Sequence, residues 1–442
     1  MNEYQQEDIA VIMSNIEKYY KDYLQPNNNN NYPISGKKYD EKEILSVVNA
    51  VLQCHWTEGE ITKKFEKKFG NFLGLNHVLV TNSGSSANLI AMKTLTSKRL
   101  GKKKIIPGDE VITVACGFPT TIYPIIQSGA VPVFCDVEKD TLNIDCSQLE
   151  KCYNKEKTKA VFLAHTLGNP FNIKRVKQFC DKNKLWLIED NCDALGSKYK
   201  KQYTGTFGDM STFSFYPAHH ITMGEGGAIC TNNPLLYKIA MSFRDWGKDC
   251  YCRTGEDNKC KKRFKQKFGG LPHGFDHKYV YTELGYNLKN TDLNVAIGLA
   301  QLDKLEDFIK TRKKNFKMLY ERLYAFKEYF ILPKKTQSSE PSWFGFPLTI
   351  KENAEVNREE LLKYLNRKGI GTRVLFAGDI RKQPVLYNNK NDIKWLEHPF
   401  MGNTEYIMKN TFWVGVNPLV NEEHIKYLED CLDKFFNGDL LL

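Results

Sequence analysis

Two adjacent imidazoles, His219 and His220, stand inside the run Ser214-Phe215-Tyr216-Pro217-Ala218-His219-His220-Ile221-Thr222-Met223-Gly224-Glu225-Gly226-Gly227. The run reads as a strand end, a sharp turn and a glycine-rich loop. An imidazole in such a turn can move protons near neutral pH. A sulfur cluster follows. Cys250, Cys252 and Cys260 fall within eleven residues, in a polar loop that opens with Arg244-Asp245-Trp246-Gly247-Lys248-Asp249. Cys192 supplies a possible fourth thiol, giving the spacing C-x57-C-x1-C-x7-C. Four thiolates suit either a 2Fe-2S cluster or structural zinc. Spacing alone favours zinc, the commoner outcome. Position argues for iron, because Cys192 lies two residues past a strand-terminal acid and zinc has no redox chemistry to offer there.

That acid is Asp190, in Leu187-Ile188-Glu189-Asp190-Asn191-Cys192-Asp193-Ala194. In an open α/β sheet, ligands sit at the carboxyl edge of the strands. A carboxylate there could pair with a protonated pyridine nitrogen; at ~3 Å and an effective dielectric of about 20 the attraction is on the order of 5 kcal/mol before desolvation. Standing alone, the motif reads equally as a helix-capping aspartate. Ser83-Gly84-Ser85-Ser86 places small hydroxyls and free N–H groups at a helix start, which suits a phosphate dianion. An ordinary serine N-cap is the simpler reading of that segment by itself. Phe118, in Gly117-Phe118-Pro119-Thr120-Thr121, could stack on a flat ring or simply pack in the core.

These residues need elements to hold them. Strands are expected at His77–Thr81, Glu110–Ala115, Val131–Val137, Ala160–Thr166 and Leu185–Asp190, with helices between them such as Ile173–Lys182 and one running from Ser83 to Lys98. The alternation predicts an α/β fold with a mainly parallel sheet and helices on both faces. Residues 1–40 read as an N-terminal arm: a helical pattern in Ile9–Tyr23 runs into Pro26 and the asparagine run Asn27–Asn31, which cannot pack a core. Residues 41–304 form the large cofactor-binding domain, with the cysteine-bearing loop at 244–262. A long helix from Thr291 toward Phe326 leads into a smaller α+β domain, residues 305–442. Its strands are expected at Trp343–Ile350, Thr372–Phe376 and Thr411–Val416, and its helices at Asn357–Lys368 and Glu422–Phe436. No solenoid-type repeat is visible.

The chain has 442 residues, long enough for two or three domains, and a net charge of +11 from 63 basic against 52 acidic side chains. That excess attracts anionic small molecules or an acidic protein partner; most of it reads as a solvated lysine-rich surface. No nucleic-acid-binding module accompanies it, so no nucleic-acid partner is expected. The first ten residues lack an apolar targeting region and no segment reads as a membrane span, so a cytoplasmic protein is expected. In that compartment the twelve cysteines point to metal binding or catalysis before disulfides. Cys54, Cys135, Cys180, Cys230 and Cys431 read as buried space-filling side chains.

Taken in order, the Ser-Gly-Ser, Gly-Phe-Pro-Thr-Thr, Glu-Asp-Asn-Cys-Asp-Ala and Ser-Phe-Tyr-Pro-Ala-His-His…Gly-Glu-Gly-Gly motifs resemble the fold-type-I, pyridoxal-phosphate-dependent nucleotide-sugar aminotransferase (DegT/StrS-type) family. The resemblance runs from about Gly36 to the C-terminus. Within the family the chain is similar to the branch in which histidine replaces the cofactor-binding lysine, and His219 falls on that lysine position. The resemblance implies phosphate contacts from Ser83, Gly84, Ser85 and Ser214, ring pairing by Asp190 and stacking by Phe118. Tyr216 and Phe344 become pocket residues. Asn287, in Gly285-Tyr286-Asn287-Leu288-Lys289, would reach the phosphate from the second subunit of a homodimer. Asp193 stands where an imidazole or amide commonly follows the ring-binding aspartate.

The quartet Cys192, Cys250, Cys252 and Cys260 resembles that of the iron–sulfur 3-dehydrases of CDP-6-deoxy-4-ketohexoses, a branch of the same family. The implied activity is removal of the C3 hydroxyl of CDP-4-keto-6-deoxy-D-glucose, using pyridoxamine 5'-phosphate (PMP, the amine form of PLP) with His219 as the proton-moving residue. A separate NAD(P)H-dependent flavin or iron–sulfur reductase would supply electrons through the cluster. The product class is a 3,6-dideoxyhexose for cell-surface polysaccharide such as lipopolysaccharide. Three other readings stand beside it: a nucleotide-sugar aminotransferase, a cluster-free dehydratase of a GDP-sugar with a zinc site, and a non-enzymatic cofactor-binding sensor.

Overall fold

The computed structural model describes residues 3–24 and 31–438. Pro26 and asparagines 27–30 fall outside the described residues. The central layer is an eight-stranded sheet. Seven of its strands are β1 (His77–Thr81), β2 (Glu110–Val114), β3 (Val131–Cys135), β4 (Thr158–Ala164), β5 (Trp186–Asp190), β6 (Met210–Ser214) and β7 (Gly227–Thr231). Their spatial order is β1-β7-β6-β5-β4-β2-β3, and the short strand Leu396–Glu397 adds to the free edge of β3. Only β7 runs against the rest, pairing antiparallel with both β1 and β6. The α/β expectation is met.

β2, β5, β6 and β7 are near-continuous apolar or small-residue runs, buried at almost every position. That is what a sheet covered on both faces requires. One face packs Ile90, Ala91, Leu236 and Ile239 from the helices Gly84–Thr94 and Pro234–Arg244 against Val111, Phe162 and Ile188. The other carries Val176 and Phe179 from the helix Ile173–Asn183.

The helix after β1 ends at Thr94, short of Lys98, where Leu95 caps it and a 3-10 turn follows. The expected single helix from Thr291 is two, Asp292–Leu302 and Leu305–Leu323. The break lies at Asp303–Lys304, where the Lys304 ammonium reaches Glu43 at 2.6 and 2.7 Å and Asp40 at 2.6 Å. The second helix carries the chain to a four-stranded antiparallel sheet formed by Phe330–Ile331, Gly345–Ile350, Arg373–Val374 and Thr411–Gly415.

The segment just after the undescribed residues joins this smaller sheet. Tyr32 is buried, forms a parallel bridge with Ile370, and donates its hydroxyl to the Gly415 carbonyl at 2.7 Å. Ile34 and Ser35 are thereby carried to the boundary between the two sheets. No described helix is long and apolar enough to cross a membrane.

Candidate active site

The carboxyl ends of β4, β5 and β6 and the start of the Gly84–Thr94 helix open onto one cleft of about 540 Å³. The large sheet contributes Gly84, Ser85, Asp190, Cys192, Asp193, Ser214, Tyr216 and His219, with Phe118 from the loop after β2. The smaller sheet closes the far wall with Phe344, Arg373, Val374, Phe376 and Trp413, and Ile34 and Ser35 complete the rim. A larger, shallow depression of about 1180 Å³ lies on the helix Arg358–Arg367, far from these residues in the fold, and gathers no comparable chemistry.

Asp190 is the most constrained group in the cleft. Its Oδ2 accepts from Asn88 Nδ2 at 2.9 Å and Thr121 Oγ1 at 2.7 Å; its Oδ1 accepts from the Cys192 N–H at 3.1 Å. Asn88 is itself oriented by Thr212 on β6, whose hydroxyl donates to its amide oxygen at 2.5 Å. Three separate elements thus aim one buried carboxylate.

The helix start is shaped for close approach. A Cβ on Gly84 would lie 2.5 Å from Ser214 Cβ, and one on Gly227 would lie 2.3 Å from the Ser83 carbonyl oxygen. Only glycine lets β6, β7 and the helix N-terminus meet there. Ser83 does not line the cleft: its Oγ caps the helix by accepting the Ser86 N–H at 3.0 Å. Gly84, Ser85 and Ser214 face the opening with the positive end of the helix, a setting for an oxyanion.

His219 sits in the turn after β6, held by its N–H donating to the Tyr216 carbonyl at 2.9 Å. Its Nδ1 is 3.5 Å from Asp193 Oδ1 without a hydrogen bond, and its ring packs at 36° against Phe344 with centroids 5.0 Å apart. Burial, with the Arg312 charge behind it, holds the imidazole down to about 3. Burial and then the neighbouring Asp190 push Asp193 up to about 8. Burial thus disfavours the charged form of both groups. His220 points elsewhere: its Nε2 is 2.8 Å from the buried Ser342 carbonyl. Among the described residues, no lysine lines the cleft.

Phe118 is half-exposed over the opening and meets Phe376 edge-on at 6.1 Å. Tyr216 is equally open at the rim. Asn287 lies outside the cleft; its Oδ1 accepts from Lys289 Nζ at 2.6 Å and its backbone bridges Asp245.

The cysteines divide into two places. Cys192 lines the cleft, where burial and then Asp190 push its thiol well above the ordinary range. Cys250, Cys252 and Cys260 lie on the loop between Lys248 and His277. There Cys260 Sγ is 3.5 Å from His277 Nδ1, a contact that draws the thiol below its ordinary value. Among the described residues no three His, Cys, Asp or Glu side chains are arranged to hold a metal ion. The four sulfurs are not gathered into a cage.

Several cleft residues carry no local sequence signal. Asn88, Arg373, Val374, Phe376 and Trp413 reach the site only through tertiary packing. Thr121 was visible as part of a motif but not as a donor to Asp190.

The cleft's features agree: a buried, fully oriented carboxylate at one end, an oxyanion cradle at a helix start, and aromatic walls between. They fit a flat cationic ring bearing a phosphate, on a fold-type-I PLP-dependent-transferase architecture. The chain belongs to the DegT/DnrJ/EryC1/StrS aminotransferase family, whose model matches residues 38–433. It is 53% identical over 404 residues to the lipopolysaccharide biosynthesis protein RfbH of Salmonella typhimurium, covering 91% of each chain. It is 44% identical to dTDP-4-dehydro-2,6-dideoxy-D-glucose 3-dehydratase of Saccharopolyspora spinosa, over 91% of this chain and 86% of that one. A solved E coli GDP-4-keto-6-deoxy-D-mannose-3-dehydratase with bound hydrated PLP superposes with a TM-score of 0.80 at 30% identity, over 91% of this chain and 99% of that one. The chain is an enzyme of this family.

Proposed function

We propose that this enzyme is a PMP-dependent nucleotide-sugar 3-dehydrase that removes the C3 hydroxyl of a 4-keto-6-deoxyhexose carried on CDP. The observation that supports the reading best is the placement of His219 on the cleft wall, with no lysine among the described residues that line it. An imidazole cannot tether the cofactor aldehyde as a lysine amine does, so the amine form is left free to meet a sugar ketone.

When bound, the cofactor supplies a primary amine for the C4 ketone and a conjugated ring that takes up electrons as the C3 hydroxide departs. The chain's own residues do the rest. Asp190 pairs with the ring nitrogen and keeps it protonated, because Asn88, Thr121 and the Cys192 N–H hold its carboxylate in place. Gly84, Ser85 and Ser214 seat the phosphate at the helix start. Phe118 covers one ring face. His219, on the cleft wall, would carry the proton between the bound cofactor and the C3 hydroxyl, which would leave as water. Arg373, at the mouth, offers a cation to the sugar-nucleotide diphosphate.

The fuller form of the proposal adds a 2Fe-2S cluster on Cys192, Cys250, Cys252 and Cys260, a separate NAD(P)H-dependent reductase and a homodimer in which Asn287 serves the partner's phosphate. Its support is the quartet's spacing, with Cys192 on the cleft wall. A second reading is favoured by the ungathered sulfurs and by the likeness to the GDP-sugar dehydratase: a cluster-free dehydratase that works without a reductase.

One preparation separates the readings. Anaerobically isolated protein should show iron–sulfur absorption and, after dithionite, an S = 1/2 electron-paramagnetic-resonance signal. It should consume CDP-4-keto-6-deoxyglucose only with PMP and a reductase. A colourless, iron-free protein that removes the C3 hydroxyl of a GDP-sugar with PMP as the only reductant, and no reductase, would establish the second reading. Amino-sugar product from the unmodified enzyme would overturn both.

A further inference from the structure

Behind the turn that carries His219 lies a buried charge whose nearest acid, Asp193, acts on it only at a distance. Arg312, midway along the helix Leu305–Leu323, is fully buried. Its Nη1 donates to the carbonyls of Trp343 at 3.2 Å and Phe344 at 3.4 Å, and its Nη2 to the carbonyl of His219 at 3.1 Å. Its Nε is buried with no acceptor. No ion pair to Arg312 forms among the described residues. Arg244, the other fully buried arginine, shows the usual solution: its guanidinium contacts Glu58 and Asp245 at 2.8 Å each.

Burying a cation without a carboxylate is disfavoured. Neutral donors could satisfy three carbonyls equally well. The charge therefore calls for a role beyond the hydrogen bonds, and its position supplies one. The guanidinium holds both the His219 main chain and the residue whose ring packs on the imidazole. We propose that Arg312 is the positioning residue of the proton-transfer site: it fixes the His219 turn against the Trp343–Phe344 segment and sets a buried positive charge behind the imidazole. The kinetic part of this assignment rests on the reading of His219 as the general base; the structural and titration parts do not.

The surroundings of His219 support the direction. Its own turn brings His220, whose imidazole is likewise held well below its ordinary value, first by burial. The loop after β5 brings Asp190, Cys192 and Asp193, the last 3.5 Å from Nδ1. The helix brings Arg312, the residue just before the Gly345–Ile350 strand the neutral Phe344 ring, and the small sheet Arg373 at the mouth. Asp193 faces the ring, but no hydrogen bond joins it to Nδ1. Arg312 is lowered to about 9 by burial and stays charged at neutral pH. The net bias is toward uncharged histidine.

The test uses full-length protein loaded with PMP and histidine-selective isotope labelling, with the His219 signal assigned by its loss in His219→Asn. In the unmodified protein the imidazole should stay uncharged to below about pH 5, against an ordinary value of about 6.5. Arg312→Gln should raise its titration by about one unit, and Arg312→Lys should leave it low. The acid limb of kcat/KM should move upward with it in Arg312→Gln alone. An imidazole that titrates near 6.5 in the unmodified protein overturns the assignment even if the variants do not fold. So does a folded Arg312→Gln with unchanged titration. If the titrations behave as stated but no nucleotide sugar is turned over, the dehydrase reading fails and the Arg312 assignment stands.

Discussion

The cofactor cleft and the cysteine loop carry the chain's two sets of reactive side chains, and the fold treats them in opposite ways. In the cleft, Asp190 receives donors from three elements, and two glycines let three backbones touch. Residues 249–276 of the loop contain neither helix nor strand. They are tied by pairs such as Arg263–Asp276 at 2.7 Å and Lys259–Glu256 at 2.6 Å, all partly exposed. Such pairs are worth about 0–1 kcal/mol each. Deeper anchors are Arg253, whose Nη2 meets Glu66 at 2.6 Å and Tyr237 at 2.7 Å, and Asp249, which meets the buried His277 at 2.7 Å. The difference teaches that the side chains of the cleft are preorganised by the sheet, whereas those of the cysteine loop are held by few buried contacts.

The largest break in this comparison should come from His219→Asn. Loss of a general base lowers kcat by roughly 10²–10⁴-fold, while melting shifts by under about 0.5 kcal/mol because the ring makes no hydrogen bond to the protein. A fall of less than tenfold would move the proton chemistry away from the turn. Asp190→Ala should come next. It leaves Asn88 and Thr121 without their acceptor and the cofactor ring without its counter-charge. PMP affinity should fall by on the order of 10³-fold, about 4 kcal/mol, in a fluorescence titration. Gly84→Ala should follow. Its methyl group must displace Ser214, costing about 1–3 kcal/mol of stability, read by thermal melting, with cofactor affinity reduced alongside.

How much of this was legible in the sequence follows the same division. β5 is a short apolar run that ends in acids, so Asp190 could be set at the sheet's carboxyl edge from pattern alone, and Ser214 could be read as a strand end from the turn and glycines that follow it. The small-sheet walls could not. Trp413 and Phe376 look like core residues until the antiparallel sheet turns them to the cleft. Arg312 sits in an ordinary charged helix, and its burial depends on carbonyls from residues 219, 343 and 344. The break at Lys304 was hidden for the same reason, since Asp40 and Glu43 lie far upstream. In the cysteine loop, spacing was legible but geometry was not, because no periodic element fixes where the sulfurs lie.

A smaller effect tests the electrostatics of the cleft. His219 is lowered to about 3, so the folded state binds fewer protons than the unfolded chain up to about pH 6.5, and its contribution to stability rises with pH there. Asp193 is raised to about 8, so between about pH 4 and 8 the folded state holds an extra proton and stability falls as pH rises. The two trends oppose each other up to about 6.5; above that only Asp193 acts. Cofactor-free protein should lose melting temperature between about pH 6.5 and 8, and Asp193→Asn should remove that loss. A slope unchanged in the variant would place the titrating group elsewhere.

The smallest expected effect sharpens the comparison most. Replacing Cys250, Cys252 and Cys260 together by serine touches side chains in irregular backbone, with no buried apolar packing to forfeit. Melting of the iron-free protein and its PMP affinity should change by under about 0.5 kcal/mol, while all iron–sulfur absorption is lost. Cys192→Ser should differ, because its thiol is buried beside Asp190 and its backbone donates to that carboxylate. It should weaken PMP binding even without iron. Metal-dependent ordering of the loop would then appear as protection of residues 249–276 from proteolysis in the iron-loaded protein only. If the triple variant instead weakens PMP binding as much as Cys192→Ser does, the loop is part of the preorganised cleft and the division between the two regions is wrong.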